Sequence, residues 1–98
     1  MKTKKLGVKK YSEILKAMAH PLRLRIVCGL SKKENCNVGT MAKNLGAAQP
    51  AVSQHLNILK NAGVITGYRK GAQICYKVEC PQAVKIIKSM DINFCEEK

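Results

Sequence analysis

Apolar residues recur along this chain with two periods, one helical and one strand-like. Ile14, Leu15 and Met18 predict one face of a helix over Tyr11–Ala19. His20-Pro21 interrupts it. Pro21 suits the first turn of a second helix, through about Leu30, with Leu22, Ile26, Val27 and Leu30 inside and Arg23 and Arg25 outside. Ser31–Cys36 is a polar connection. Asn37 is placed to cap a third helix, Val38–Leu45, which Gly46 ends. After the tight turn Gly46-Ala47-Ala48, a fourth helix carries Pro50 near its first turn, and Gly63 closes it. The pattern then alternates. Val64–Arg69 and Gln73–Val78 predict paired strands around Lys70-Gly71-Ala72. A last helix, Gln82 to about Phe94, follows Pro81, with Val84, Ile87, Met90 and Phe94 on one side.

Four helices, a hairpin and a closing helix, α-α-α-α-β-β-α, is the order of a winged helix-turn-helix, a mainly α fold with a small β-hairpin. The fourth helix is the most informative element. Val52, Leu56 and Leu59 form an apolar back, while Gln49, Ser53, Gln54, Asn57 and Lys60 offer hydrogen-bonding groups on the front. Such a helix suits the major groove of double-stranded DNA. Gln49, Ser53 and Gln54 are the best candidates for base or phosphate contact, because Gln can bond adenine bidentately and Ser is permissive. Lys60, on the same front, belongs with them among the DNA-binding candidates. His55 lies near the Val52–Leu59 stripe, so packing and DNA contact are both open to it. In the hairpin, Arg69, Lys70 and Gln73 would reach phosphates or the minor groove.

Composition strengthens this reading. Eighteen Lys and Arg against six Asp and Glu leave a net charge of +12, and before Glu79 the only acids are Glu13 and Glu34. A basic body of this kind gathers polyanions by counterion release. With 98 residues, 46% of them hydrophobic, the chain is one small domain that a partner subunit would help to stabilise. Residues 1–10 read as a basic flexible arm and 11–98 as the DNA-binding and dimerisation domain. No apolar run has membrane-spanning length, and no signal-peptide core follows the basic N-terminus. The protein is expected to be cytoplasmic, without membrane contact. A Cys-X-X-Cys pair in a βαβ setting is missing, which argues against a thiol oxidoreductase, and no enzyme is expected.

Leu15–Ile26 (LKAMAHPLRLRI), Gln49–Leu56 (QPAVSQHL) and Leu59–Ile65 (LKNAGVI) together resemble the ArsR/SmtB family of dimeric bacterial repressors, over about residues 11–95. The resemblance implies a homodimer built from the first and last helices, operator DNA as partner, and release of DNA when an inducer binds or reacts. Two-fold-related recognition helices read half-sites ~34 Å apart, so the operator is expected to be an imperfect palindrome. The stripe Val84, Ile87, Met90 and Phe94 would serve the subunit seam, the monomer core, or both.

Five cysteines, Cys28, Cys36, Cys75, Cys80 and Cys95, raise the question of the inducer. An odd count argues against a secreted disulfide framework. The third-helix metal site of the family falls on Asn37-Val38-Gly39-Thr40-Met41, with Asn37 at the ligand position and Cys36 one residue early. The last-helix zinc site needs histidines, and none follows His55. Neither a metal nor another cofactor is therefore expected. Ile26–Leu30 (IVCGL) and Ile92–Cys95 (INFC) instead resemble the sulfide- and persulfide-sensing BigR/SqrR-like branch. That resemblance implies Cys28 and Cys95 as a redox-sensing pair, joined by a disulfide or short sulfur bridge when a small sulfur species or oxidant arrives. One rival is an arsenic- or metal-responsive repressor with thiolates drawn from Cys28, Cys36, Cys80 and Cys95. Another is a basic DNA-binding protein without any signal. Cys75 reads as packing within its strand.

Overall fold

The computed structural model describes residues 6–90. Its elements are α1 (Val8–Met18), α2 (Pro21–Lys32), α3 (Val38–Leu45), α4 (Gln49–Asn61), β1 (Ile65–Lys70), β2 (Gln73–Val78) and α5 (Pro81–Ser89). The winged helix-turn-helix order holds. Helix α1 begins at Val8, three residues inside the stretch read as an arm. Among the described residues, no helix is long and apolar enough to cross a membrane.

Local chemistry explains the boundaries. His20 caps α2, its Nδ1 accepting from the Leu22 amide at 3.1 Å, and Pro21 follows where no amide donor is needed. Asn37 Oδ1 accepts from the Thr40 amide at 2.9 Å and starts α3. Both helices of the helix-turn-helix end alike. Gly46 (φ 67°) and Gly63 (φ 80°) take the left-handed conformation. The next residue in each case bonds five positions back, Ala47 to the Ala42 carbonyl and Val64 to that of Leu59, both at 3.0 Å. Orphan carbonyls are thereby satisfied and the chain turns sharply.

The hairpin is antiparallel, with Ile65 opposite Val78 and Lys70 opposite Gln73, so the turn is Gly71-Ala72 alone. Gly71 has φ 64°, the conformation a two-residue hairpin turn demands. A single-residue bridge joins the outer side of β2: Asn35 pairs with Tyr76, exchanging amide bonds of 3.0 and 2.8 Å.

Ile14, Met18, Ile26, Val27, Val52, Leu56, Leu59, Val64, Ile65 and Ile87 form one buried cluster at the junction of the helices and the hairpin base. Two expectations need correction. Leu15 does not share the inner face of α1; Ala17 does, and Leu15 stays 49% exposed, because one residue along a helix turns a side chain by about 100°. Arg23 and Arg25 are not outside; both are half-buried, and Arg25 Nη1 donates to the Leu45 carbonyl at 3.3 Å, helping to close α3. In α5, Ile87 and Ala83 are buried in the protomer's own core, while Met90 is exposed.

Candidate DNA-reading face and the cysteines beside it

Helix α4 has two sides with different chemistry. Val52, Leu56 and Leu59 are buried, whereas Gln49, Ser53, Gln54, Asn57 and Lys60 are all exposed. The turn at Gly46 and the packing of α3 hold that polar side outward. At its first turn Gln49 leans over α3, with its Oε1 3.5 Å from where a Cβ on Gly39 would stand. The tighter neighbour of that position is Asn37 Oδ1 at 3.3 Å, so a side chain at Gly39 would crowd the oxygen that caps α3. Arg69, Lys70 and Gln73 are exposed at the far end of the hairpin.

His55 stands apart from its neighbours on α4. It is half-buried and its ring lies 4.5 Å from that of His20, tilted by 43°. Its Nδ1 is buried without a hydrogen-bond partner. Burial, reinforced by His20 and then Arg23, holds its pKa below the ordinary histidine value. The contacts shown for this ring lie toward the start of α2 rather than with the outward row of α4.

The cysteines are distributed differently from the sequence reading. Cys75, read as simple packing, is joined to Cys36 by a disulfide, with Cα atoms 3.8 Å apart. The antiparallel Asn35–Tyr76 bridge accounts for this. The residues next to a hydrogen-bonded pair form a non-hydrogen-bonded pair, where side chains approach most closely. Neither cysteine could have been matched from sequence, since 39 positions separate them and the bridge depends on the tertiary fold. Cys80 is a buried free thiol whose Sγ donates to Gln82 Oε1 at 3.3 Å. Cys28 is buried in α2 at 3% exposure and is not without a partner. Cys95 lies outside the described residues, as does Phe94.

Sequence reasoning also missed Glu34. Its carboxylate pushes the Tyr68 phenol above the usual pKa, first as a hydrogen-bond acceptor for the hydroxyl, with burial and the negative charge adding to the effect. The 34–36 connection is tied to the wing twice, through the Asn35–Tyr76 backbone bridge and the Cys36–Cys75 disulfide.

Among the described residues no cluster of three or more His, Cys, Asp and Glu side chains could hold a metal ion.

Residues 20–66 match the family described as bacterial regulatory protein, arsR family. The biofilm growth-associated repressor of Xylella fastidiosa is 31% identical, over 89% of this chain and 75% of that protein. The crystal structure of the transcriptional repressor PagR of Bacillus anthracis superposes with a TM-score of 0.78 at 38% identity, covering 86% of this chain and 95% of that one. The transcriptional repressor BigR from Xylella fastidiosa superposes with a TM-score of 0.76 at 30% identity, covering 84% and 83%. With an exposed polar row on α4, a basic hairpin beside it and these relatives, the chain belongs to the ArsR family of bacterial regulatory proteins, DNA-binding transcriptional regulators rather than enzymes, and stands beside its BigR branch.

Proposed function

We propose that this protein is a dimeric cytoplasmic repressor that grips an imperfectly palindromic operator and lets go when reactive sulfur or an oxidant joins Cys28 to Cys95. The observation that carries the DNA half is the division of α4 into a buried apolar back and an exposed hydrogen-bonding front. Gln49, Ser53 and Gln54 read bases; Lys60, Arg69, Lys70 and Gln73 hold phosphates or the minor groove. His55 supports α4 from behind. The net charge of +12 supplies the salt-sensitive, sequence-independent part of the affinity.

The dimer half rests on α1. Val8, Tyr11 and Leu15 are exposed on it at 88, 37 and 49%, and with Leu6 they line a shallow apolar depression. Exposed apolar surface of this kind is suited to a second subunit. Met90, exposed at the end of α5, extends the apolar surface on the other helix the family resemblance assigns to the seam. The relatives named as repressors support the direction of regulation.

The sensing half rests on the likeness to the BigR branch and on Cys28, whose place in the middle of α2 would let a bond there strain the helices that carry the seam. Selection from a random DNA pool should return an imperfect palindrome with half-sites ~34 Å apart. Glutathione persulfide should then release that DNA from the wild type and leave it bound by Cys28→Ser and Cys95→Ser. A pool without consensus would refute the operator, and release unchanged in both variants would refute the sensor pair.

A further inference from the structure

Between α2, the 34–36 connection and the wing lies an open cleft of about 600 Å³, within the range of small-molecule sites. Arg25, Lys33 and Lys70 line it, against one acid, Glu34. Ile26, Leu30 and Met41 supply an apolar wall. Cys36 lines the cleft and is half-buried, while its disulfide partner Cys75 is completely buried. Gly29 also lines it, in the middle of α2. A Cβ there would meet nothing within 4 Å, so no packing requires glycine, although glycine costs a helix interior about 0.5–1 kcal/mol relative to alanine. The space over Gly29 is open.

We propose that this cleft binds an anionic low-molecular-weight thiol and its disulfide, of the glutathione type, and exchanges them with the Cys36–Cys75 disulfide. The cations draw the carboxylates of the incoming molecule, and only one sulfur of the protein disulfide faces it. The thiolate attacks Cys36 Sγ; the Cys36–Cys75 bond breaks, and the Cys75 sulfur leaves with the electron pair and takes a proton from water. A second thiolate attacks the ligand sulfur of the mixed disulfide and releases Cys36, which is protonated in turn. Two small thiols become one small disulfide, and one protein disulfide becomes two thiols. In the opposite direction the small disulfide is the oxidant. Opening removes the covalent one of the two ties between residues 34–36 and the wing and leaves the Asn35–Tyr76 pairing to hold alone.

Cys28 does not line this cleft, and the readout is sulfur chemistry at Cys36 and Cys75, so failure of the operator reading leaves the result interpretable. Oxidised full-length protein is treated with glutathione, quenched by alkylation and mapped by mass spectrometry, with neutral 2-mercaptoethanol as a parallel reagent. The Cys36–Cys75 linked peptide should be present before treatment, and the trapped mixed disulfide should sit on Cys36, accumulating in Cys75→Ser exposed to glutathione disulfide. Gly29→Met, which fills the cleft, and Lys33→Gln should each slow the glutathione reaction at least about threefold. For Lys33→Gln the 2-mercaptoethanol rate should stay unchanged, as electrostatic steering requires. On opening, the Tyr76 amide, which donates to Asn35 at 2.8 Å, should exchange hydrogen faster by about tenfold. No Cys36–Cys75 peptide, glutathione trapped on Cys75, or Lys33→Gln slowing both reagents equally would each overturn the proposal.

Discussion

Helices α1 and α4 both keep one side out of the core, and only α1 carries an exposed apolar stripe along that side. On α1 the exposed residues include an apolar stripe, Val8, Tyr11 and Leu15, flanked by Lys9, Lys10, Ser12, Glu13 and Lys16; on α4 they are Gln49, Ser53, Gln54, Asn57, Lys60 and Asn61, with Pro50 and Ile58 the apolar exceptions. An apolar outer side gains by leaving water against another apolar surface. An amide-rich one gains where a partner replaces its water hydrogen bonds with directed ones, as base edges and phosphates do. The contrast separates the proposed subunit surface from the proposed reading surface within 98 residues.

The largest effect should come from reversing the character of α1. Leu15→Asp places an unpaired charge where the second subunit would cover it, and the dimer dissociation constant should rise by about a hundredfold, ~3 kcal/mol. Sedimentation equilibrium measures this. A variant as dimeric as the wild type would remove α1 from the seam.

On α4, Gln54→Ala should cost about 1–3 kcal/mol of discrimination at one base step, read by competition between single-substitution operators. Lys60→Ala should weaken all sequences alike and lower the salt slope by about one. A sequence-blind loss from Gln54→Ala would shift the reading face elsewhere on the helix.

A smaller change should follow from Asn37→Ala. It removes the bond to the Thr40 amide that starts α3, the helix against which α4 is set, and should lower stability by about 1 kcal/mol in urea unfolding. Operator specificity should be unaltered.

The smallest effect concerns pH. The His55 pKa is lowered in the folded protein by burial, then by His20 and Arg23, so the unfolded chain binds its proton more readily. Below about the unperturbed value of 6.5, acid therefore favours unfolding, and stability should fall as pH drops from 7.5 to 5.5. His55→Gln should flatten that slope in thermal melts, and an unchanged slope would assign the dependence to another group.

The elements that depend on neighbours in sequence were legible in the residues themselves. Helix α3 runs from its Asn37 cap to Gly46 as the cap and glycine indicate, β2 keeps its predicted limits, and the α4 stripe is buried as its spacing implies. Leu15 was misplaced because periodicity gives the direction of a stripe only to within one residue of its edge. His55 sat at such an edge too, and the position of His20 gave it a packing partner.

Short-range chemistry thus specified the caps, the turns, the helix-turn-helix and the basic, hydrogen-bonding surface, since each needs information from a few adjacent residues. The Cys36–Cys75 bond arose only when the connection after α2 paired with the wing, and the contact of Arg25 with Leu45 only when α2 packed against the end of α3; the cleft lies between these parts. Those contacts join residues 20 to 39 positions apart, and nothing in the local pattern marks which will meet.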